Sequence, residues 1–349
     1  MLPKTALRLA CLAALGFGVA ASSAREDYSS KASEVFALRP TTHSPEARAQ
    51  AAQAFLATLD DAQRERALLS LTDPERRLWT NLPAANDAGG LRLGDLDREQ
   101  LAAASALLAE LFSEQGYRKI VHVLLGDDVL WEQEGRRRGG LGVAETRVAL
   151  FGEPSATEPW GFQIDGHHVG MNVALHGDDV THSPSFIGAQ PDVFVVAGEE
   201  LRPMVREVEL ALQLVRSLGE EQRAAGVQGA ERQRLTTGPG ADGRVPEPVG
   251  VSVGTFNGQQ LDQLGDLMLA WIGDLPGLHA GQLRELAAGG SLRFAWWGPT
   301  DGEGAFSYRI QGPTVLIEFA CVGPPNDPQD HLHSMYRDPT NEYGGQLGD

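Results

Sequence analysis

Near Thr146 the spacing of apolar residues changes from a helical period to a strand period, and this switch limits the chain to folds that segregate helices from a sheet. Before it, Ser44-Pro45-Glu46 reads as a helix start, with serine at the N-cap and proline at the first position, leading an Ala/Leu/Gln/Arg-rich run to about Leu71. Asp73-Pro74 opens a short helix through Trp79. Asp97 caps a third, with Leu101, Ala104, Leu107, Leu108 and Leu111 at helical spacing, and Tyr117 to Glu134 makes a fourth. After the switch, Val148 to Phe151, Trp160 to Leu175 and Val193 to Val196 carry β-branched and aromatic residues between Gly, Pro and Asp. Helix returns over Pro203 to Ala225 and Gly258 to Ile272, around a Gly/Pro/Val-rich loop with one short strand from Thr236 to Gly254. Leu292 to Trp297, Phe306 to Ile310, Thr314 to Phe319 and His331 to Tyr336 read as strands. No internal repeat of fixed period is visible. The expected fold is α+β, a helical N-terminal layer packed on a largely antiparallel β-sheet, as a single domain over residues 25–349.

The first 24 residues read as a cleavable secretory signal. Lys4 and Arg8 supply a positive start, Leu9 to Ala21 is uncharged and Leu/Ala-rich, and Ser22-Ser23-Ala24 fits a peptidase site before Arg25. The apolar run is shorter than the roughly 20 residues a spanning helix needs. The expected location is therefore periplasmic or extracellular, with no membrane attachment once the signal is removed. Losing Lys4 and Arg8 deepens the net charge of −18 by two. So negative a chain repels nucleic acid and anionic lipid, both of which are bound by clustered Lys and Arg. Arg136-Arg137-Arg138 is the only basic run and reads as a solvated turn. Cys321 alone remains after cleavage, so no disulfide forms within the chain, which is tolerable because a chain this long buries a core without one.

Familiar motifs are absent or out of context. Gly238 to Gly243 matches GxGxxG by letters, but no strand leads in, no helix follows and a proline interrupts it. Cys321 ends an apolar strand and reads as a core residue. Asp127-Asp128 and Asp178-Asp179 read as solvated carboxylates.

Two strand-like segments carry the polar chemistry. One runs from Trp160 through Gln163, Asp165, His167 and His168 to Asn172, the other from His331 through His333, Tyr336, Arg337 and Asp338 to Asn341. Residues i and i+2 of a strand share a face, so His331 and His333 project together, near enough to bind one ion at about 2.0–2.1 Å. His168 shares a face with Asn172 and His176, and His167 takes the other with Val169 and Met171. One of His167 and His168 would complete the three-nitrogen set that catalytic zinc uses. The competing structural reading makes these histidines ordinary hydrogen-bonded residues. Arg309 and Glu318 sit on otherwise apolar strands, where a charge needs a partner, so Arg309–Glu318 or Arg337–Asp338 contacts are the bland expectation. The functional one makes Glu318 or Asp165 a general base or proton relay and Arg337 the anchor of an anionic substrate.

The same residues carry a family resemblance. Trp79-Thr-Asn81-Leu-Pro83, Gln163-Ile-Asp-Gly-His-His168 with Asn172, and Pro184-Ser-Phe-Ile-Gly188-Ala-Gln-Pro191 resemble a family of exported proteins catalogued as domain of unknown function 3500. Phe294-Ala-Trp296-Trp-Gly298, Tyr308-Arg-Ile-Gln-Gly-Pro313 and His331-Leu-His-Ser-Met-Tyr-Arg-Asp338 extend the likeness over Trp79 to Gly344. The resemblance implies one shared domain containing both histidine segments and brings no activity with it. Asn341-Glu342-Tyr343-Gly344 departs from the Asn-Asp-aromatic-Gly pattern expected there, which leaves Glu342 without an assigned role.

Three functions fit these residues. The first is a metal-dependent hydrolase acting on a small-molecule substrate, with zinc on His167 or His168 together with His331 and His333. The second keeps the site and places copper or iron there for oxidoreductase chemistry, since imidazole accepts all three metals. The third is a non-catalytic exported metal- or ligand-binding protein. Oligomeric state is not readable from the sequence.

Overall fold

Capping chemistry starts the helices of this computed structural model, which describes residues 34–83, 89–135, 139–277 and 291–346. The expected signal segment and Arg136-Arg137-Arg138 lie outside the described residues. Ser44 caps α1 (Pro45–Thr58) by accepting the Ala47 N–H. The run expected to reach Leu71 breaks at Leu59, because Asp60 and Gln63 form a reciprocal capping box that opens α2 (Asp61–Ala67). Asp97 and Gln100 repeat that box at α3 (Arg98–Leu111), and Ser113 caps α4 (Glu114–Gln133). The stretch expected as one helix from Pro203 is two, α5 (Val205–Ser217) and α6 (Glu220–Gly226). Asn257 and Gln260 box the start of α7 (Gly258–Ile272). Asp73-Pro74 opens only a 3-10 turn, Pro74–Arg77.

The strands begin with β1 (Leu68–Leu69), β2 (Leu91–Arg92), β3 (Arg147–Phe151), β4 (Trp160–Asp165) and β5 (Val169–His176). They continue as β6 (Asp179–Thr181), β7 (Ser185–Ala189), β8 (Phe194–Val196), β9 (Glu199–Leu201) and β10 (Val227–Gly229). The last are β11 (Val251–Ser252), β12 (Arg293–Trp297), β13 (Ser307–Gln311), β14 (Leu316–Cys321) and β15 (Leu332–Arg337). Thirteen of them form one sheet in the order β1-β3-β4-β5-β7-β15-β14-β13-β12-β10, with β2, β6 and β11 beside it and β8–β9 a separate hairpin. Every pair is antiparallel except β1 with β3 and β10 with β12. The fold is α+β, as the sequence predicts.

That strand order reads the same from either end. The first half runs α1-α2-β1, then β2-turn-α3, then β3-β4-β5-β7, and the second runs α5-α6-β10, then β11-turn-α7, then β12-β13-β14-β15. The registers repeat as well: Leu91 pairs with Val148 and Arg92 with Arg147, as Val251 pairs with Phe294 and Ser252 with Arg293. Gln100 Nε2 donates to Thr58 O (2.9 Å) and Gln63 Oε1 (2.7 Å), as Gln260 Nε2 does to Ser217 O and Gln222 Oε1 (both 2.8 Å). Apart from α4, β6, β8 and β9, the described elements thus form one unit repeated about a pseudo-twofold axis between β7 and β15. A search for a fixed period misses it because Leu91 and Val251 stand 160 residues apart, whereas Val148 and Phe294 stand 146 apart.

The alternation of strand side chains then divides the sheet into two unlike faces. Val148, Phe162, Ile164, Met171, Ile187, Tyr308, Ile310, Ile317 and Phe319 point to one, and join the helices in a continuous apolar core. The other presents Gln163, Asp165, Asn172, Arg309, Glu318, His333 and Arg337. Trp79 and Tyr343 cover part of it, packing with Phe186 and Met335 in a small second cluster. Functional chemistry belongs on this second face.

Candidate metal centre

One row of the polar face creates the site. His333 on β15 is directly opposite Gly188 on β7, and the Gly188 N–H donates to the His168 carbonyl (2.8 Å) just ahead of β5. With strands about 4.8 Å apart, His168 and His333 flank β7 at a backbone separation of about 9.5 Å. Their rings meet because residue 188 has no side chain: a Cβ there would stand 2.7 Å from His168 Cδ2 and 3.2 Å from His333 Cδ2. His331, two residues before His333 and just outside β15, turns its ring into the same space. His168 Nε2 lies 3.1 Å from His331 Nε2, which lies 2.8 Å from His333 Nε2.

A buried carboxylate stands behind the cluster. Asp127 on α4 meets His168 Nδ1 at 2.8 Å and His167 Nδ1 at 3.0 Å through its Oδ1. A carboxylate only accepts, so both Nδ1 atoms carry the hydrogen, and His168 presents a lone pair on Nε2 to its neighbours. Burial alone would raise the Asp127 carboxyl, but interaction with His168 and hydrogen bonds from both histidines hold it down to about 2. His333 is pushed down to about 2 by burial and by His168, His331 and His167 around it, so its ring is neutral. Neutral imidazole is the form that binds metal.

The three donors fit a metal. Ligands at 2.0–2.1 Å in a tetrahedron stand about 3.3 Å from one another, and the three nitrogens form a set within 4.8 Å. Among the described residues no carboxylate oxygen enters that set. His168 is 1% exposed, whereas His331 and His333 are half-buried, so solvent reaches the cluster past His331 and His333. The Asp127–His168 contact is the arrangement by which a carboxylate behind the ligand fixes the tautomer and aim of a metal-binding histidine. These groups can bind a metal ion.

The other residues singled out in the sequence fall elsewhere. The His167 ring lies beside that of His168, tilted by 41° with centroids 3.7 Å apart, and meets Asp127 rather than the three-nitrogen set. Asp165 lies on the polar face but outside the cluster. Burial pushes its carboxyl up to about 7, against a hydrogen bond from the Thr80 N–H and the charge of Arg147. Glu318 takes the expected pair with Arg309 (2.8 Å) and also accepts from the backbone and hydroxyl groups of Thr236 and Thr237. Burial raises its carboxyl, but those threonines and Arg309 outweigh it and keep Glu318 ionised. Its oxygens are taken up by Arg309 on β13 and by the two threonines of the loop after β10, the structural one of the two readings that the sequence offers for it.

Arg337 is fully buried and equally committed. It donates to Thr237 O (2.8 Å) and Gly238 O (3.2 Å), and pairs with Glu342 (2.5 Å) and Asp242 (3.4 Å). It does not pair with Asp338, whose Oδ1 accepts from Thr340. The fork clamps the Gly238–Gly243 loop, and Glu342 is one of its partners. That loop is a turn, as its context in the sequence implies.

Two residues of the centre escape the sequence reading. Asp127 was expected to be solvated, yet it is 3% exposed. Its signal was available: Leu124 and Trp131, both buried, stand three before and four after it, so Asp127 lies on the apolar face of α4. Gly188 is legible only once β7 is known to lie between β5 and β15.

Comparison with curated proteins and with solved structures returns no match. One family matches, described as a protein of unknown function (DUF3500), over residues 41–345. That span holds both histidine segments, Asp127 and Gly188, and the chain belongs to this family.

Proposed function

We propose that the chain is an exported metal-dependent enzyme, a hydrolase whose metal is held by His168, His331 and His333. The convergence of three Nε2 atoms, with Asp127 behind one of them, is the observation that carries this reading. Three imidazole nitrogens, with no thiolate or carboxylate oxygen in the set, favour zinc, and three protein ligands are what a catalytic site uses while keeping a position for reactants. A divalent metal there supplies Lewis acidity, which activates water at neutral pH. The protein's own contribution is to keep the His333 ring neutral, fix the His168 tautomer through Asp127, and admit reactants past His331 and His333. Among the described residues no helix is long and apolar enough to cross a membrane. Export rests on the signal-like first 24 residues, and N-terminal sequencing of exported protein starting at Met1 would count against it.

The test is reconstitution. Chelated protein is reloaded with zinc, copper or iron and assayed on ester, amide and phosphoester substrates and for oxygen consumption. Hydrolysis restored by zinc, and lost in His168→Ala, supports the proposal. Oxygen consumption with copper or iron alone would move the site to oxidoreductase chemistry, and inactivity with every metal would leave only metal binding.

A further inference from the structure

The row that brings His168 and His333 together continues past them as Ala320 on β14 and Ser307 on β13. Both are small, so the polar face beside His333 is floored by little more than backbone. Over this floor runs the segment after β10. The Gln233 N–H donates to Ser307 Oγ (2.8 Å), Thr236 and Thr237 are tied to Glu318, and Arg337 holds the Thr237 and Gly238 carbonyls. Three anchors on three strands therefore fix the path of this segment, and Arg232 immediately precedes Gln233, whose anchor Ser307 lies two strands from His333 in that row. Its charge reaches both His333 and Cys321.

Arg232 is half-buried and has no hydrogen-bond or ion-pair partner among the described residues. In a chain of net charge −18 that is unexpected, since carboxylates are abundant. Arg309 and Arg337, on the same side, are both spent inside the protein. The repeat sharpens the contrast. Glu75-Arg76 precedes Thr80 in the first half as Glu231-Arg232 precedes Thr236 in the second, and each threonine N–H binds a carboxylate of the sheet. Arg76 donates to the Tyr343 carbonyl (2.8 Å) and packs against Gly161, the position equivalent to Ser307. Arg232 makes no such closure.

We propose that Arg232 is the substrate anchor of this centre, and that the substrate carries an oxyanion, carboxylate or phosphoryl, bound between the guanidinium and the three-histidine metal. This rests on the metal reading above and names its substrate class. A planar fork of N–H donors matches two oxygens of such a group, while the metal takes the reacting end.

Calorimetric titration of cobalt-loaded protein with inorganic phosphate and, separately, acetate tests this, with cobalt content measured for each variant. Arg232→Gln should retain cobalt and bind the preferred anion at least ten-fold more weakly. Arg232→Lys should fall between, having the charge without the fork. The anion with the higher wild-type affinity identifies the oxyanion type. Wild-type anion affinity in Arg232→Gln, or no binding of either anion by the cobalt-loaded wild type, overturns the proposal while leaving the metal site standing. A wild type that holds no cobalt removes the metal reading and this inference with it. If Arg232→Gln fails to fold, the Lys variant decides by the same comparison.

Discussion

Replacing Gly188 by alanine isolates the feature that lets two histidines on either side of β7, one just ahead of β5 and one on β15, act together. The added Cβ would stand 2.7 Å from His168 Cδ2, 2.8 Å from the Leu332 carbonyl oxygen and 3.2 Å from His333 Cδ2. Ordinary carbon contacts begin near 3.5 Å, so the His168 ring has to retreat by about 0.8 Å. The Leu332 carbonyl belongs to a paired strand and cannot rotate away. Overpacking of this kind costs about 1–3 kcal/mol of stability. The larger effect falls on the metal, because ligand positions tolerate only about 0.2 Å of error. We expect metal affinity to drop by about 10- to 100-fold, or roughly 1.4–2.7 kcal/mol. Competition against a chromophoric chelator gives the affinity, and thermal melting of the chelated protein separates it from general destabilisation. Wild-type affinity in a folded Gly188→Ala protein would refute the reasoning, since the rings would then not depend on the bare backbone between them.

Asp127→Asn should lower metal affinity about 10- to 100-fold through loss of the carboxylate that aims His168, and unchanged affinity in the same competition assay would remove Asp127 from the centre. Arg337→Lys should destabilise the fold by about 3 kcal/mol, the scale for stripping partners from a buried charge, with metal content per folded molecule unchanged; reduced metal content in denaturant-stable protein would return Arg337 to the site. Asp165 has a folded pKa of about 7 against an ordinary 3.8, so between those values the folded state keeps a proton that the unfolded state releases, and its contribution to stability falls as pH rises. Asp165→Asn stays neutral, and its melting temperature should therefore gain on the wild type from pH 4 to pH 7.5; a gap independent of pH contradicts the burial argument.

Local chemistry carried much of this fold in the sequence. Ser44, Asp97 and the Gly258–Ile272 helix are found where capping and spacing predict them, because a cap is a bond between near neighbours. The break at Leu59 was equally local, and Asp60-x-x-Gln63 announces it, but the helix-forming residues on either side outweigh one box in a reading by composition. β7 was the costly omission. Ser185 to Ala189 is short and carries no alternation of polar and apolar residues, being buried on both faces, yet it is the strand that brings the two histidine segments together. The His331/His333 spacing was legible because two residues of one strand fix it. That His168 rather than His167 joins them depends on β5–β7–β15 register, which is tertiary information. The Arg309–Glu318 pair was legible on the strands, but the further partners of Glu318 and Arg337, namely Thr236, Thr237 and Glu342, come from loops whose path the sequence does not state.

The most direct test of the account is the metal content of purified protein, wild type against a His331→Ala/His333→Ala double variant, measured by elemental analysis after exposure to zinc and removal of free ion. With the fold verified by circular dichroism, the account predicts close to one equivalent in the wild type and almost none in the variant, where two of three nitrogens are gone. Equal, stoichiometric metal in both proteins would contradict it, and the histidine row would then be a hydrogen-bonded part of the sheet's polar face.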